Sequence, residues 1–189
     1  MVKKKTCIFI SGNGSNLNNL IKNSRDYVFP ISVSLVISDN PSAGGIKYAR
    51  KNSIPFILIN TKTRSYENKI LQNLRKYKIS LICLAGFMKI LSKKFLSNLK
   101  YKVLNIHPSL LPKFKGLNTY FRIIKNKEKK TGCTVHLVNE KLDGGRIIVQ
   151  KSFFISENDN EKKLKSKTQR LEYAAYPEAI IKLFRNINS

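Results

Sequence analysis

A chain of 189 residues with 36 Lys and Arg against 11 Asp and Glu, a net charge of +25 and 42% hydrophobic residues suits one domain able to bury about 70% of the surface its unfolded form exposes. Such a core needs no staple, and Cys7, Cys83 and Cys133 lie far apart with no C-x-x-C pair, so neither a zinc site nor a disulfide framework is indicated and a reducing compartment fits. The apolar run Cys7 to Ile10 behind Lys3, Lys4 and Lys5 is too short for a secretory signal, and no run approaches the roughly 18 apolar residues of a membrane span, which points to a cytoplasmic protein.

Along the chain, brief aliphatic runs alternate with amphipathic stretches. Strands are predicted at Thr6–Ser11, Val33–Ser38, Pro55–Ile59, Leu81–Ala85 and Val103–His107, and helices at Asn16–Asn23, Gly45–Asn52, Tyr66–Tyr77 and Ser92–Leu99. Ile70, Leu71, Leu74 and Tyr77 recur with the spacing of one helical face. Past Pro112 the pattern changes: Cys133–Val138 and Ile147–Phe154 read as longer, paired strands, and a final helix is expected over Asp159–Phe184 with a bend before Pro177. The expected fold is α/β, a single-domain Rossmann-like sheet over residues 1–189, mostly parallel with an antiparallel C-terminal part and helices on both faces.

Three motifs carry chemistry. Ser11-Gly12-Asn13-Gly14-Ser15-Asn16 sits between the first strand and first helix, where glycines let the backbone approach a ligand and free amides at a helix start suit phosphate. Leu17 stands where a dinucleotide fingerprint needs glycine, and no Gly-Lys-Ser/Thr follows, so neither that fingerprint nor a Walker loop is present. A purely structural turn with a Ser or Asn cap accounts for the same residues.

The second motif is Asn105-Ile106-His107-Pro108-Ser109-Leu110-Leu111-Pro112. One intervening residue puts Asn105 and His107 on the same face of an extended strand, and ligands bind at the carboxyl ends of parallel strands, which would bring both into the crevice of the glycine loop. Pro108 and Pro112 restrict the backbone that follows. The third is Leu142-Asp143-Gly144-Gly145, which alone reads as an Asp-Gly turn but beside an amide and an imidazole supplies the carboxylate of an acyl-transfer site. His136 reads as a structural hydrogen-bonder.

The succession GNGSN, AGFMKIL at Ala85–Leu91, NIHPSLLP and LDGG resembles the phosphoribosylglycinamide formyltransferase family, from about Ile8 to Pro177. The resemblance implies formyl transfer from 10-formyltetrahydrofolate to 5'-phosphoribosylglycinamide, with no metal. It implies phosphate contacts at Gly14, Ser15 and Asn16 and ribonucleotide contacts at Gln169, Arg170, Leu171 and Glu172. Folate contacts fall on Arg64, on Met88, Lys89, Ile90 and Leu91, and on Asn139, Glu140, Lys141, Leu142 and Asp143. Asn105, also placed against the folate, forms the implied catalytic trio with His107 and Asp143. Asn105 and a protonated His107 would stabilise the oxyanion, and Asp143 would raise the His107 pKa and assist proton transfer.

The chain departs from the family pattern at Gly116-Leu117-Asn118-Thr119-Tyr120, where Gly-Leu-His-Thr-His is common, and at Lys89, where arginine is common. It also stops soon after the last helix, where many relatives continue, and a site built before Glu172 is expected to survive that. The related methionyl-tRNA formyltransferase and formyltetrahydrofolate hydrolase carry an additional domain for which 189 residues leave no room. A non-catalytic RNA-binding remnant would have no need of all three trio residues. The lysines are spread along the chain without an RNP-type motif or basic tail, so A- and T-rich coding accounts for the charge, and its field favours anionic small molecules.

Overall fold

The computed structural model describes residues 2–185. The elements follow in the order β1 (Lys4–Ile10), α1 (Ser15–Ser24), β2 (Ile31–Ser38), α2 (Ile46–Lys51), β3 (Phe56–Leu58), α3 (Tyr66–Lys76), β4 (Leu81–Leu84), α4 (Lys93–Ser97), β5 (Lys102–His107), α5 (Thr119–Lys125), β6 (Lys130–Leu137), β7 (Ile147–Phe154) and α6 (Glu161–Arg185). The strands form a seven-stranded sheet in the order β3-β2-β1-β4-β5-β6-β7. By its internal contacts the chain divides into two compact units between Leu104 and Asn105.

In the first unit, β1 pairs in parallel with β2 and β4, and β2 with β3. Cys7, Ile8, Phe9 and Ile10 are fully buried, as a strand paired on both edges and covered on both faces requires; this is why it reads as a continuous apolar run. Leu17, Leu20 and Ile21 give α1 one buried stripe, and Ile70 and Leu74 do the same for α3.

The second unit is built on the antiparallel pair β6 and β7, with a register shift between Val135 and His136. Such a bulge re-aims the next side chain. Helix α6 packs on both strands, burying Leu164, Thr168, Glu172, Tyr176 and Ile180 at four-residue steps. It runs continuously through Pro177. Tyr176 is fully buried, and truncating it to alanine is expected to cost about 3–5 kcal/mol.

The departures from expectation are local. Helix α5 was not anticipated: seven residues after Asn118, in a stretch crowded with Lys and Asn, are too few to display a period. Helix α4 is five residues long, shorter than Ser92–Leu99, with Ser92 as its cap through a bond from the Phe95 amide at 3.0 Å. Strand β6 starts three residues before Cys133, because Lys130 to Gly132 pair with Ser152 to Phe154 and ladder bonds do not depend on apolar side chains. Among the described residues, no helix is long and apolar enough to cross a membrane.

Candidate active site

Strand β5 ends in Asn105-Ile106-His107, and the loop after it is clamped from two sides. Thr134 on β6 donates to the Ser109 carbonyl at 2.6 Å and accepts from the Leu111 amide at 3.1 Å. Gln150 on β7 donates to the Leu111 carbonyl at 2.8 Å. Each is a buried or half-buried polar pairing that is costly to leave unmade, so the loop is held by both strands.

The Asp143 carboxylate is the meeting point. Its side chain is only 8% exposed. Oδ2 accepts from the Gly116 amide at 2.8 Å and lies 3.4 Å from His107 Nδ1. Oδ1 lies 3.4 Å from Asn105 Nδ2 and 3.6 Å from His136 Nε2. Asp143 has a φ of 45°, in the left-handed region that aspartate tolerates better than most residues. Gly145 must be glycine for another reason: a Cβ there would stand 1.7 Å from the Leu137 carbonyl oxygen.

Hydrogen-bond logic fixes the donors. His136 Nδ1 faces the Leu137 carbonyl at 2.9 Å, so it carries a proton and leaves Nε2 as an acceptor for Asn105 Nδ2 at 3.2 Å. With two acceptors facing it, the amide of Asn105 presents its NH2 end to the cluster. His107 Nε2 lies 2.8 Å from the Phe114 carbonyl while Nδ1 faces Asp143, so both ring nitrogens look at acceptors. Only the charged ring satisfies both.

Electrostatics sharpen this picture. Burial pushes the Asp143 carboxyl up, but His136, the Gly116 amide and His107 together outweigh it and hold the pKa down at about 2. For His107, burial is the largest effect and lowers the pKa below 6.5; Asp143 and the Phe114 carbonyl pull it upward, while His136 and Arg122 push it down. Asp143 acts upward on His107 as expected, but desolvation of the ring outweighs it and the net direction is down.

Asn105, His107 and Asp143 therefore meet as expected from their motifs. His136 and the Gly116 amide join them and were not anticipated. His136 does make the structural bond its type suggests, yet its other nitrogen is in the cluster. The available signal was position, since it is the only other histidine and lies on the strand that leads into the Asp143 loop. The 3.4 Å separations of Asn105 Nδ2 and His107 Nδ1 from the carboxylate exceed those of tight hydrogen bonds, leaving these two groups free to turn toward an incoming oxygen.

The remaining expected residues are placed as follows. Gly14 caps α1 in a left-handed conformation with φ 70°, and a Cβ there would lie 2.5 Å from Gly45 Cα. Ser15 and Asn16 open the ten-residue α1. Ser11 braces this loop, donating to Asp39 at 2.6 Å and accepting from the Met88 amide at 2.8 Å. Arg64, Met88, Lys89 and Ile90 are exposed and Leu91 is buried; Asn139, Glu140, Lys141 and Leu142 are exposed. Within α6, Glu172 is buried, Gln169 and Leu171 are half-buried and Arg170 is exposed, because four consecutive residues go once around a helix. Glu172 acts on Tyr120 and Cys133: burial first, and then this carboxylate, raise the phenol and push the thiol up to about 12.

An amide, two imidazoles and a carboxylate at one strand end form the donor and acceptor set of an acyl- or formyl-transfer site. A family model described as formyl transferase matches residues 4–180, and the chain belongs to that family. It is 40% identical to phosphoribosylglycinamide formyltransferase of Haemophilus influenzae over 96% of this chain and 87% of that protein. The crystal structure of the Bacillus halodurans phosphoribosylglycinamide formyltransferase superimposes with a TM-score of 0.91 at 35% identity, covering 95% of each chain. The trifunctional purine biosynthetic protein adenosine-3 of Drosophila melanogaster is also 40% identical, and there the chain spans 14% of the relative's length.

Proposed function

We propose that this chain transfers the formyl group of 10-formyltetrahydrofolate to the amine of 5'-phosphoribosylglycinamide, a step of purine biosynthesis. The observation that carries the reading is the convergence of Asn105, His107 and His136 on the Asp143 carboxylate, in a chain of this family. As the amine nitrogen bonds to the formyl carbon, the amide NH2 of Asn105 donates to the oxygen on which negative charge grows. That charge offsets the burial of His107 and draws a proton from solvent onto its ring, making it a second donor; the ring releases that proton again as the carbonyl re-forms. The carboxylate of Asp143, ionised far below neutrality, accepts the proton leaving the amine through a water molecule. It returns that proton to N10 as the carbon–N10 bond breaks.

Gly14, Ser15 and Asn16 are assigned to the substrate phosphate, which the amides of the α1 N-terminus suit, and Gln169, Arg170, Leu171 and Glu172 to its ribonucleotide. Arg64, Met88 to Leu91 and Asn139 to Asp143 are assigned to the folate, together with Asn105. A formyl-transfer assay with 5'-phosphoribosylglycinamide, methionyl-tRNA and water as parallel acceptors tests the reading. Turnover with the small amine alone is expected. Transfer to tRNA, or release of formate with no acceptor, would replace it with the tRNA-modifying or hydrolytic activity.

A further inference from the structure

We propose that Arg122 is a positioning residue for His107: it holds the Phe114 carbonyl to which the imidazole donates, and thereby decides which ring nitrogen keeps the proton. The inference deepens the formyl-transfer reading and rests on it for its kinetic part. Arg122 Nη2 lies 2.8 Å from the Phe114 carbonyl oxygen, the same atom that faces His107 Nε2 at 2.8 Å. A carbonyl has two lone pairs, and here each has one partner. The same nitrogen donates to the Lys115 carbonyl at 2.5 Å, and the guanidinium lies 5.8 Å from the centre of the Phe114 ring.

Two contacts from one side chain thus hold Phe114 and a third holds the carbonyl of its neighbour Lys115, and Phe114 needs restraint. Phe114 has a φ of 57°, a backbone state that a bulky side chain keeps only when its surroundings hold it there. The orientation is otherwise contested. His107 is faced by Asp143 from the loop between β6 and β7, by His136 from β6, by Arg122 from α5 and by the Phe114 carbonyl. Without a fixed carbonyl at Nε2, a neutral ring would place its single proton on Nδ1, toward the carboxylate. The Nε2 proton keeps the Nδ1 side open to take up a proton during transfer.

The test uses the full chain labelled with nitrogen-15 at its two histidines. In the wild type, the neutral ring of His107 is expected to show the signature of a proton held on Nε2. Arg122→Met, which retains bulk without donors, should bring the two ring-nitrogen shifts toward each other and lower kcat about tenfold while leaving both KM values nearly unchanged. Arg122→Lys should recover part of both. Should Arg122→Met fold poorly by circular dichroism, Arg122→Gln is read in the same way. A folded variant whose ring-nitrogen signals match wild type overturns the proposal, even if kcat falls, since that would be a packing effect. The ring signals are read without substrates, so a chain with the expected signature and no formyl transfer refutes the function and not this role.

Discussion

The glycine loop of the first unit and the carboxylate cluster of the second solve different problems with different parts of the chain. Around Gly14 the groups proposed to bind phosphate are backbone amides, the shape is set by six consecutive residues, and the critical requirement is the absence of a side chain, because Gly45 Cα would sit 2.5 Å from any Cβ. Around Asp143 the groups that meet are side chains from β5, β6 and one loop and a backbone amide from another, and the requirement is that each buried donor finds its acceptor. A loop of the first kind tolerates exchange of its neighbours as long as the backbone path survives. A cluster of the second kind is damaged by the loss of any one member, since the others are left buried and unpaired.

The largest effect should come from Asp143→Asn, which removes the acceptor faced by Asn105, His107 and the Gly116 amide and the proposed carrier of the proton. A loss in kcat of at least about 1000-fold is expected in a steady-state assay, and a loss below tenfold would mean that the carboxylate is only structural. Asn105→Ala should cost about 100- to 1000-fold, as removal of an oxyanion donor does, with KM for the amine little altered. His136→Ala should lower kcat less, by about tenfold, because it supports Asn105 and Asp143 without reaching the reacting atoms; equality with Asn105→Ala would make it a direct participant.

In the other region, Gly14→Ala should act through KM for the phosphorylated amine and through stability. The φ of 70° and the backbone contact make a loss of more than about 1 kcal/mol the expected result of chemical denaturation. An alanine variant with wild-type stability and KM would remove the basis for calling this loop a cradle. The smallest effect is a matter of pH. The Asp143 pKa is lowered from 3.8 to about 2 on folding, so its contribution to stability is complete above about pH 4 and is lost as pH falls toward 2. His107, lowered below 6.5, adds a loss that begins as pH drops under 6.5, because the unfolded ring binds its proton first. Melting temperature followed from pH 7 to 2 should decline in both windows, and Asp143→Asn should abolish the lower one.

The alternation of apolar runs and amphipathic stretches, together with Asn105 and His107 two residues apart and the Asp-Gly-Gly loop, was readable without coordinates. Those signals are local, set by the period of a strand or helix and by turn chemistry. The partners of those residues were not readable. His136 enters because a register shift re-aims the strand just before it, and Gly116 enters through a backbone amide that every non-proline residue possesses. Helix α5, which carries Arg122 to the Phe114 carbonyl, was hidden by its brevity.

Sequence alone yielded the fold class and offered an amide, an imidazole and a carboxylate in motifs fit to meet, because periodicity and residue type act over a few positions. Tertiary structure alone decided the charge balance. Whether Asp143 or burial governs His107 depends on how much water the assembled second unit excludes from the ring, a property of packing that no stretch of residues encodes by itself.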